Sequence, residues 1–182
     1  MTSAELKNQI PEYRDGNIYM TDNDVEHCIM YGDEAEYIKE SIRQILSRTD
    51  AKTVIEIGYG LGFTADEFQN QGVERHIIIE PNRYIYNKAL RWADGRRGIE
   101  VINKRHQDIK ADELPEVDLI YDDIYELVVP RKKERYNFHF KSKWYAEFCV
   151  DYSEGDRFGD EYFRFQIGEY DKLQLLERNN GN

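Results

Sequence analysis

The residues best placed to do chemistry are a glycine-rich run and the acids spaced after it. Val54-Ile55-Glu56-Ile57 is a β-branched stretch that stops at Gly58-Tyr59-Gly60-Leu61-Gly62. Glycines carry no Cβ, so backbone there can approach a ligand closely, and the helix that resumes at Phe63 opens with N–H groups outside its own ladder. Glu80 lies 22 residues after Gly58, at the end of the next apolar run. A carboxylate at that place can accept both hydroxyls of a ribose, so loop plus acid reads as a nucleoside cofactor site. The competing reading is a tight turn with an incidental glutamate. A dinucleotide fold prefers glycine where Phe63 sits, and that glycine is absent.

The elements that would position these residues follow from periodicity. Asp33 to Ser47 reads as a helix, with Tyr37, Ile38, Ile42, Ile45 and Leu46 at helical spacing. Strands are expected at 53–57, 76–80, 99–102 and 117–121, and helices at 63–69, closed by Gly72, and at 84–92. Strands alternating with helices imply a parallel sheet covered on both faces, which binds ligands at the carboxyl ends of its strands. The residues there are Gly58 to Gly62, Glu80, His106 to Asp108, and Asp122 to Tyr125. Residues 1–24 read as a loose polar lead-in. Asp22, Asp24 and Glu26 are spaced like the start of a calcium loop but lack its glycine and distal glutamate. Trp144 to Tyr152 alternates like a strand, and Tyr162 to Ile167 with Lys172 to Leu176, joined by Gly168-Glu169-Tyr170-Asp171, read as a hairpin. The expected fold is α/β in one domain: a lid and helix over 1–50, a mostly parallel sheet closed by an antiparallel hairpin over 51–178, and a frayed tail over 179–182.

Composition excludes several classes. With 182 residues, 25 basic and 36 acidic, the net charge is −11, which repels phosphate backbones, so no nucleic-acid partner is expected. No apolar run approaches the roughly 20 residues a membrane span needs. Met1-Thr2-Ser3-Ala4-Glu5 does not begin a signal peptide, and Cys28 and Cys149, far apart, suit two thiols in a reducing cytoplasm. His27, His76, His106 and His139 show no metal-like spacing, so no metal is expected. Arg131-Lys132-Lys133-x-Arg135 reads as a solvated helix face. The cluster Tyr136, Phe138, Phe140, Trp144 and Tyr145 reads as core or as a partner surface, which leaves a homodimer open.

Glu56, two residues before Gly58, is the acid usual in class I S-adenosylmethionine-dependent methyltransferases, and the chain resembles that superfamily. Within it the chain resembles guanidinoacetate N-methyltransferase and its arginine-methylating relatives. Val54 to Gly60, Ile78-Ile79-Glu80-Pro81-Asn82, Trp92-Ala93, Lys104 to Ile109 and Leu119-Ile120-Tyr121-Asp122 carry the resemblance, as does the spacing of Met30, Glu34 and Tyr37. It covers roughly residues 28–126. The chain departs from the family at Asp123, where threonine is usual, and in lacking a Leu-Lys-Pro-Gly-Gly turn. Its C-terminal part is shortened, and Cys149 to Ser153 only loosely echo the family's substrate segment.

The resemblance implies a Rossmann-like fold with S-adenosyl-L-methionine as cofactor. It implies cofactor contacts from Glu56, Gly58, Tyr59, Gly60, Gly62, Glu80, Pro81, His106, Gln107 and Asp122. It places Asp122 and Glu34 as catalytic carboxylates, with Glu34, Tyr37, Asp123, Tyr125 and Ser153 around a small guanidino or amino substrate. The chemistry is coherent, because a guanidinium is a poor nucleophile and its N–H fork suits paired carboxylates. Asp122 would orient one nitrogen and accept its proton, while Glu34 held the remaining N–H groups. Two other readings stay open: a cofactor-binding module without catalysis, and a protein or base methyltransferase, since Asp122-Asp123-Ile124-Tyr125 distantly resembles an Asp-Pro-Pro-Tyr loop.

Overall fold

The computed structural model describes residues 7–22, 24–110, 112–123, 142–150 and 163–169. In chain order the elements are β1 (Glu12–Arg14), β2 (Asn17–Asp22), β3 (Val25–Met30), α1 (Ala35–Thr49), β4 (Thr53–Ile57) and α2 (Phe63–Asn70). Then follow β5 (Arg75–Ile79), α3 (Arg83–Ala93), β6 (Ile99–Ile102), β7 (Val117–Asp122), β8 (Ser142–Val150) and β9 (Phe163–Glu169).

The main sheet has the order β6-β5-β4-β7-β8-β9. Its first five strands are mutually parallel, and β9 runs antiparallel to β8. Parallel strands covered on both faces read as nearly unbroken apolar runs. Val54, Ile55, Ile77, Ile78, Ile79, Leu119 and Ile120 are accordingly all fully buried. One face packs Ile42 and Ile45 of α1 and Phe68 of α2 against Val54, Leu119, Tyr121 and Ala146. The other gathers Ile55, Ile57, Ile77, Ile79, Ile120 and Tyr145 with Ile109. Strand order reverses between β4 and β7, so the loops leaving these two strands diverge and open a crevice at their carboxyl ends.

The helices end where their local chemistry dictates. Asn82 caps α3, its side-chain oxygen accepting from the N–H groups of Tyr84 and Ile85. Asp50 ends α1 in a left-handed conformation, its N–H returning to the Leu46 carbonyl. Among the described residues no helix is long and apolar enough to cross a membrane.

Two expectations are corrected. Much of the supposed lead-in forms a three-stranded antiparallel sheet, β1-β2-β3. Asp15 and Gly16 both have positive φ, the geometry of a tight type I′ turn between β1 and β2. Ile18, Met20 and Met30 point inward from this sheet and are buried, which is why it can stay folded on the body. At the other end, Gly168 and Glu169 belong to β9, paired with Tyr145 and Trp144 of β8, rather than to a turn. The antiparallel partner of that strand is β8. Residues 172–176, expected as its partner, lie outside the described residues.

Asp118 ties the start of β7 to the start of β4. Its Oδ2 accepts from the backbone N–H of Lys52 at 2.9 Å and of Thr53 at 2.8 Å, and from the Thr53 hydroxyl at 2.9 Å. These bonds hold the Asp118 carboxyl below its usual pKa despite partial burial. Asp118→Ala is expected to cost about 1–3 kcal/mol by urea unfolding at pH 7, since three donors lose their acceptor. A depressed carboxylate stabilises the fold above its unfolded pKa and loses that contribution as pH falls through the folded value, so the difference between wild type and variant should shrink below pH 4.

Candidate active site

Three strand ends are drawn into one rim by backbone bonds across the sheet. The Gly58 N–H donates to the Ile79 carbonyl at 2.9 Å, and the Asp123 N–H donates to the Ile57 carbonyl at 3.1 Å. The chain leaves β4 through Gly58 at a φ of +91°, and a Cβ there would stand 2.9 Å from the Asp123 carbonyl oxygen. At Gly60 a Cβ would run into the Met30 thioether. The same sulfur accepts the Leu61 N–H at 2.9 Å. The last residue of β3 therefore sits on the glycine loop, and the N-terminal sheet is latched to it. Tyr59 turns inward against Trp92, with ring centroids 5.9 Å apart, and its hydroxyl abuts Gly62.

Glu80 stands beside this loop at the end of β5 and is almost fully buried. One carboxylate oxygen accepts the Tyr59 N–H at 3.0 Å and the other the Asn82 N–H at 2.8 Å. Burial pushes its carboxyl up to about 7, against the pull of those backbone bonds. Each oxygen of a carboxylate has two lone pairs, so acceptor capacity remains for the hydroxyls of a sugar. The group suits a ribose, and the glycine loop beside it offers the close backbone such a ligand needs. Asn103 was not expected here. Its side-chain amide donates to the Glu80 and Pro81 carbonyls at 2.8 and 3.1 Å and fixes the turn. Asn82 adds a bond from its own amide to the Gln9 carbonyl at 2.8 Å, joining the N-terminal segment to the same turn.

Glu56, expected as a cofactor contact, lies one residue before the end of β4. It is fully buried, 2.7 Å from the equally buried His76 Nε2. Phe68 and Trp92 present their rings to His76. The charge of Glu56 is felt at Tyr59, Glu80 and Asp123.

The acids on the β7 side converge. Asp122 is buried to 6 % exposure and accepts a hydrogen bond from the Tyr145 hydroxyl at 2.9 Å. Asp123 follows, half-buried, with its carboxyl pushed up to about 8 by desolvation first and then by Glu56, Glu34 and Asp122. Glu34 ends the single 3-10 turn Gly32–Glu34 that leads into α1, where its carboxylate accepts the Tyr31 N–H at 3.3 Å. It is 7 % exposed, and burial, then the neighbouring Asp33, pushes it up to about 7. Tyr37 lies one turn further along the same helix and is half-buried. The structure therefore brings Asp123 within electrostatic range of both Glu34 and Asp122, from elements far apart in the chain. Tyr145 is a residue that sequence reasoning missed. Its signal was only that of an aromatic in an apolar strand.

Pro81 lies in the turn beside Glu80, half-buried. His106 and Gln107 form a 3-10 turn after β6 at the same end of the sheet, His106 half-buried and Gln107 exposed. Tyr125 and Ser153 lie outside the described residues. Among the described residues no group of three His, Cys, Asp or Glu side chains could hold a metal ion.

The comparisons with known proteins agree with this geometry. No curated protein matches the chain in sequence. Among solved structures, the methyltransferase domain of bacterial-CtHen1-C aligns with a TM-score of 0.54 at 11 % identity, over 81 % of this chain and 84 % of that one. A mutant of MtNAS in complex with S-adenosylmethionine gives 0.52 at 14 % identity, over 69 % and 52 %. Mycolic acid cyclopropane synthase CmaA1, in its apo form, gives 0.49 at 11 % identity, over 62 % of this chain and 44 % of that one. The chain thus spans less than half the length of that synthase. The first two likenesses give the fold, that of the S-adenosylmethionine-dependent methyltransferases. The family model of guanidinoacetate N-methyltransferase matches residues 12–148, three quarters of the sequence, and the chain belongs to that family.

Proposed function

We propose that the protein is an S-adenosylmethionine-dependent N-methyltransferase whose acceptor is a small guanidino or amino compound. The observation that carries this reading is the set of desolvated acids Glu34, Asp122 and Asp123 at one rim, two of them pushed up to about 7 and 8. Like charges held together out of water ask for a cation, and a guanidinium is a cation whose N–H fork matches carboxylates. A phosphate-bearing substrate would meet repulsion there.

Glu80 and the Gly58–Gly62 backbone would hold the nucleoside, with Pro81, His106 and Gln107 around its base. When bound, S-adenosylmethionine supplies an electrophilic methyl group on a sulfonium. Asp122 orients the acceptor nitrogen and takes its proton as the new C–N bond forms and the C–S bond breaks. Tyr145 donates to one Asp122 oxygen and thereby aims the other. Glu34 and Asp123 hold the remaining N–H groups, with Tyr37 beside them. The N-terminal sheet, latched through Met30, keeps water out of the rim.

Calorimetric titration with S-adenosylhomocysteine should give about micromolar affinity, and arginine or guanidinoacetate should then bind more tightly to the nucleoside complex than to the apo protein. Nucleoside binding without any guanidine response would leave a cofactor-binding module and refute the acceptor. Asp122→Asn should lower kcat by about 10²–10⁴ while leaving nucleoside affinity nearly intact. Normal turnover in that variant would refute the mechanism.

A pH dependence follows from the raised acids. Glu34, Glu80 and Asp123 bind protons more tightly folded than unfolded, so their stabilising protons are present below pH 4 and lost as pH rises through about 7 to 8. The apo protein should therefore melt at lower temperature at pH 8.5 than at pH 6. Asp123→Asn should flatten that slope, and an unchanged slope would show that these acids are not desolvated.

A further inference from the structure

Away from the acidic rim, a groove of about 440 Å³ lies between the N-terminal segment and α3. It is lined by Ile10, Pro11, Tyr13, Tyr84, Lys88 and Arg91. Tyr84, Lys88 and Arg91 stand at i, i+4 and i+7, one face of α3, so a single helix stripe forms one wall. Ile10, Pro11 and Tyr13 form the other. The groove is a seam between the N-terminal sheet and the body.

Its charge runs against that of the whole chain. The net charge is −11, yet both charged residues lining the groove are cations. Lys88 is half-buried, lies 5.1 Å from the Tyr13 ring centroid, and donates to the Leu61 carbonyl at 3.3 Å. Among the described residues no salt bridge neutralises it. Burial, and then Arg91, lower its pKa, with Asp66 the opposing influence. Asp66 is itself engaged, accepting from the Trp92 indole at 2.6 Å. Arg91 has neither an ion pair nor a hydrogen bond among the described residues. Glu80 is the acid whose charge reaches Tyr13, and both its oxygens already accept backbone N–H groups. Among the described residues that line the groove, two cations thus share an aromatic and apolar cleft with no carboxylate.

We propose that this groove binds a small phosphate monoester carried on a flat ring, of the mononucleotide class, at the seam between the N-terminal sheet and α3. A phosphate monoester carries about −1.5 to −2 charges at neutral pH, which two cations balance. The tyrosine faces and the Ile10–Pro11 edge provide stacking and apolar surface for the ring. The volume falls within the usual range for small-molecule sites, about 300–1,000 Å³. The occupied groove joins β1 to α3. The groove adjoins the glycine loop through Lys88 but shares no lining residue with the acceptor and cofactor positions proposed above, and it does not rest on that reading.

The test is calorimetric titration of the full chain with guanosine monophosphate, guanosine and inorganic phosphate, the guanine avoiding mimicry of an adenosyl cofactor. One site for the monophosphate is expected, with guanosine and phosphate each about tenfold weaker or more, the worth of one charge-assisted or stacking contact. Arg91 is exposed, so Arg91→Ala should fold normally by circular dichroism and bind the monophosphate about tenfold more weakly. Lys88→Met, which keeps the stem, should do the same. Saturating S-adenosylhomocysteine should leave monophosphate affinity unchanged. Absence of monophosphate binding, or equal affinity in Arg91→Ala, overturns the proposal. One-for-one displacement by S-adenosylhomocysteine overturns it too, by assigning the groove to the cofactor. Tighter binding of a single-stranded oligonucleotide than of the monophosphate overturns it in favour of a strand end. Monophosphate binding intact in a chain that ignores S-adenosylhomocysteine would refute the proposed function and leave this site standing.

Discussion

Desolvation of acids at the carboxyl ends of parallel strands is the constraint on which the site depends. A parallel sheet buries both faces and delivers every strand end to one edge, so residues that follow the strands crowd together there. In this chain those residues include Glu80, Asp122 and Asp123, and Glu34 is added from the turn before α1. Burial costs each carboxylate its hydration, and proximity adds mutual repulsion. The protein answers with directed donors: backbone N–H groups for Glu80, a phenol for Asp122, and the turn's own N–H for Glu34. The carboxyls of Glu34, Glu80 and Asp123 are all pushed up, so each favours its neutral form until positive charge arrives beside it. A sulfonium or a guanidinium would supply that charge.

The N-terminal sheet converts this edge into an enclosed site. Its attachments are few and specific: the Met30 sulfur on the Leu61 N–H, Gln9 on Asn82, and the inward residues Ile18 and Met20. A thioether is a weak acceptor, and Met30 is also packed in a core cluster with Ile18 and Ile38, so the contact is held by burial as much as by the hydrogen bond. The glycines of the loop serve the chain's own atoms as much as any ligand. Gly58 gives way to the Asp123 carbonyl and Gly60 to Met30. The loop is thereby a joint between sheet, N-terminal sheet and ligand, and its shape depends on all three.

Local pattern made most of the body legible. The runs at 53–57 and 99–102 match β4 and β6 residue for residue, because β-branched segments bounded by glycine or charge have few alternatives. Spacing from these runs put Glu80 and Asp122 at strand ends, whereas Glu34 came only through the family resemblance. The N-terminal sheet was not legible, although Asp15-Gly16 is a strong hairpin signal. Every residue of β1 is exposed and in β3 only Met30 is buried, which hides the alternation that marks a strand. Tyr145 and the Glu56–His76 pair were hidden for another reason. They depend on register: Tyr145 lies opposite Ile120, one pleat from Asp122, and His76 lies opposite Val54, one pleat from Glu56. Nothing local in either strand encodes that offset.

The central claim is that the acids at the rim are held partly protonated until a cation arrives. The most direct test is the number of protons released when guanidinoacetate or arginine binds the nucleoside-loaded protein. It is read from calorimetry at pH 7 in buffers of differing ionisation enthalpy. With Glu34 at about 7 and Asp123 at about 8, binding should release a substantial fraction of a proton or more, and affinity should rise between pH 6 and pH 8.5. Binding with no proton release and no pH dependence would contradict the account, because it would mean these carboxylates are already ionised and need no cation.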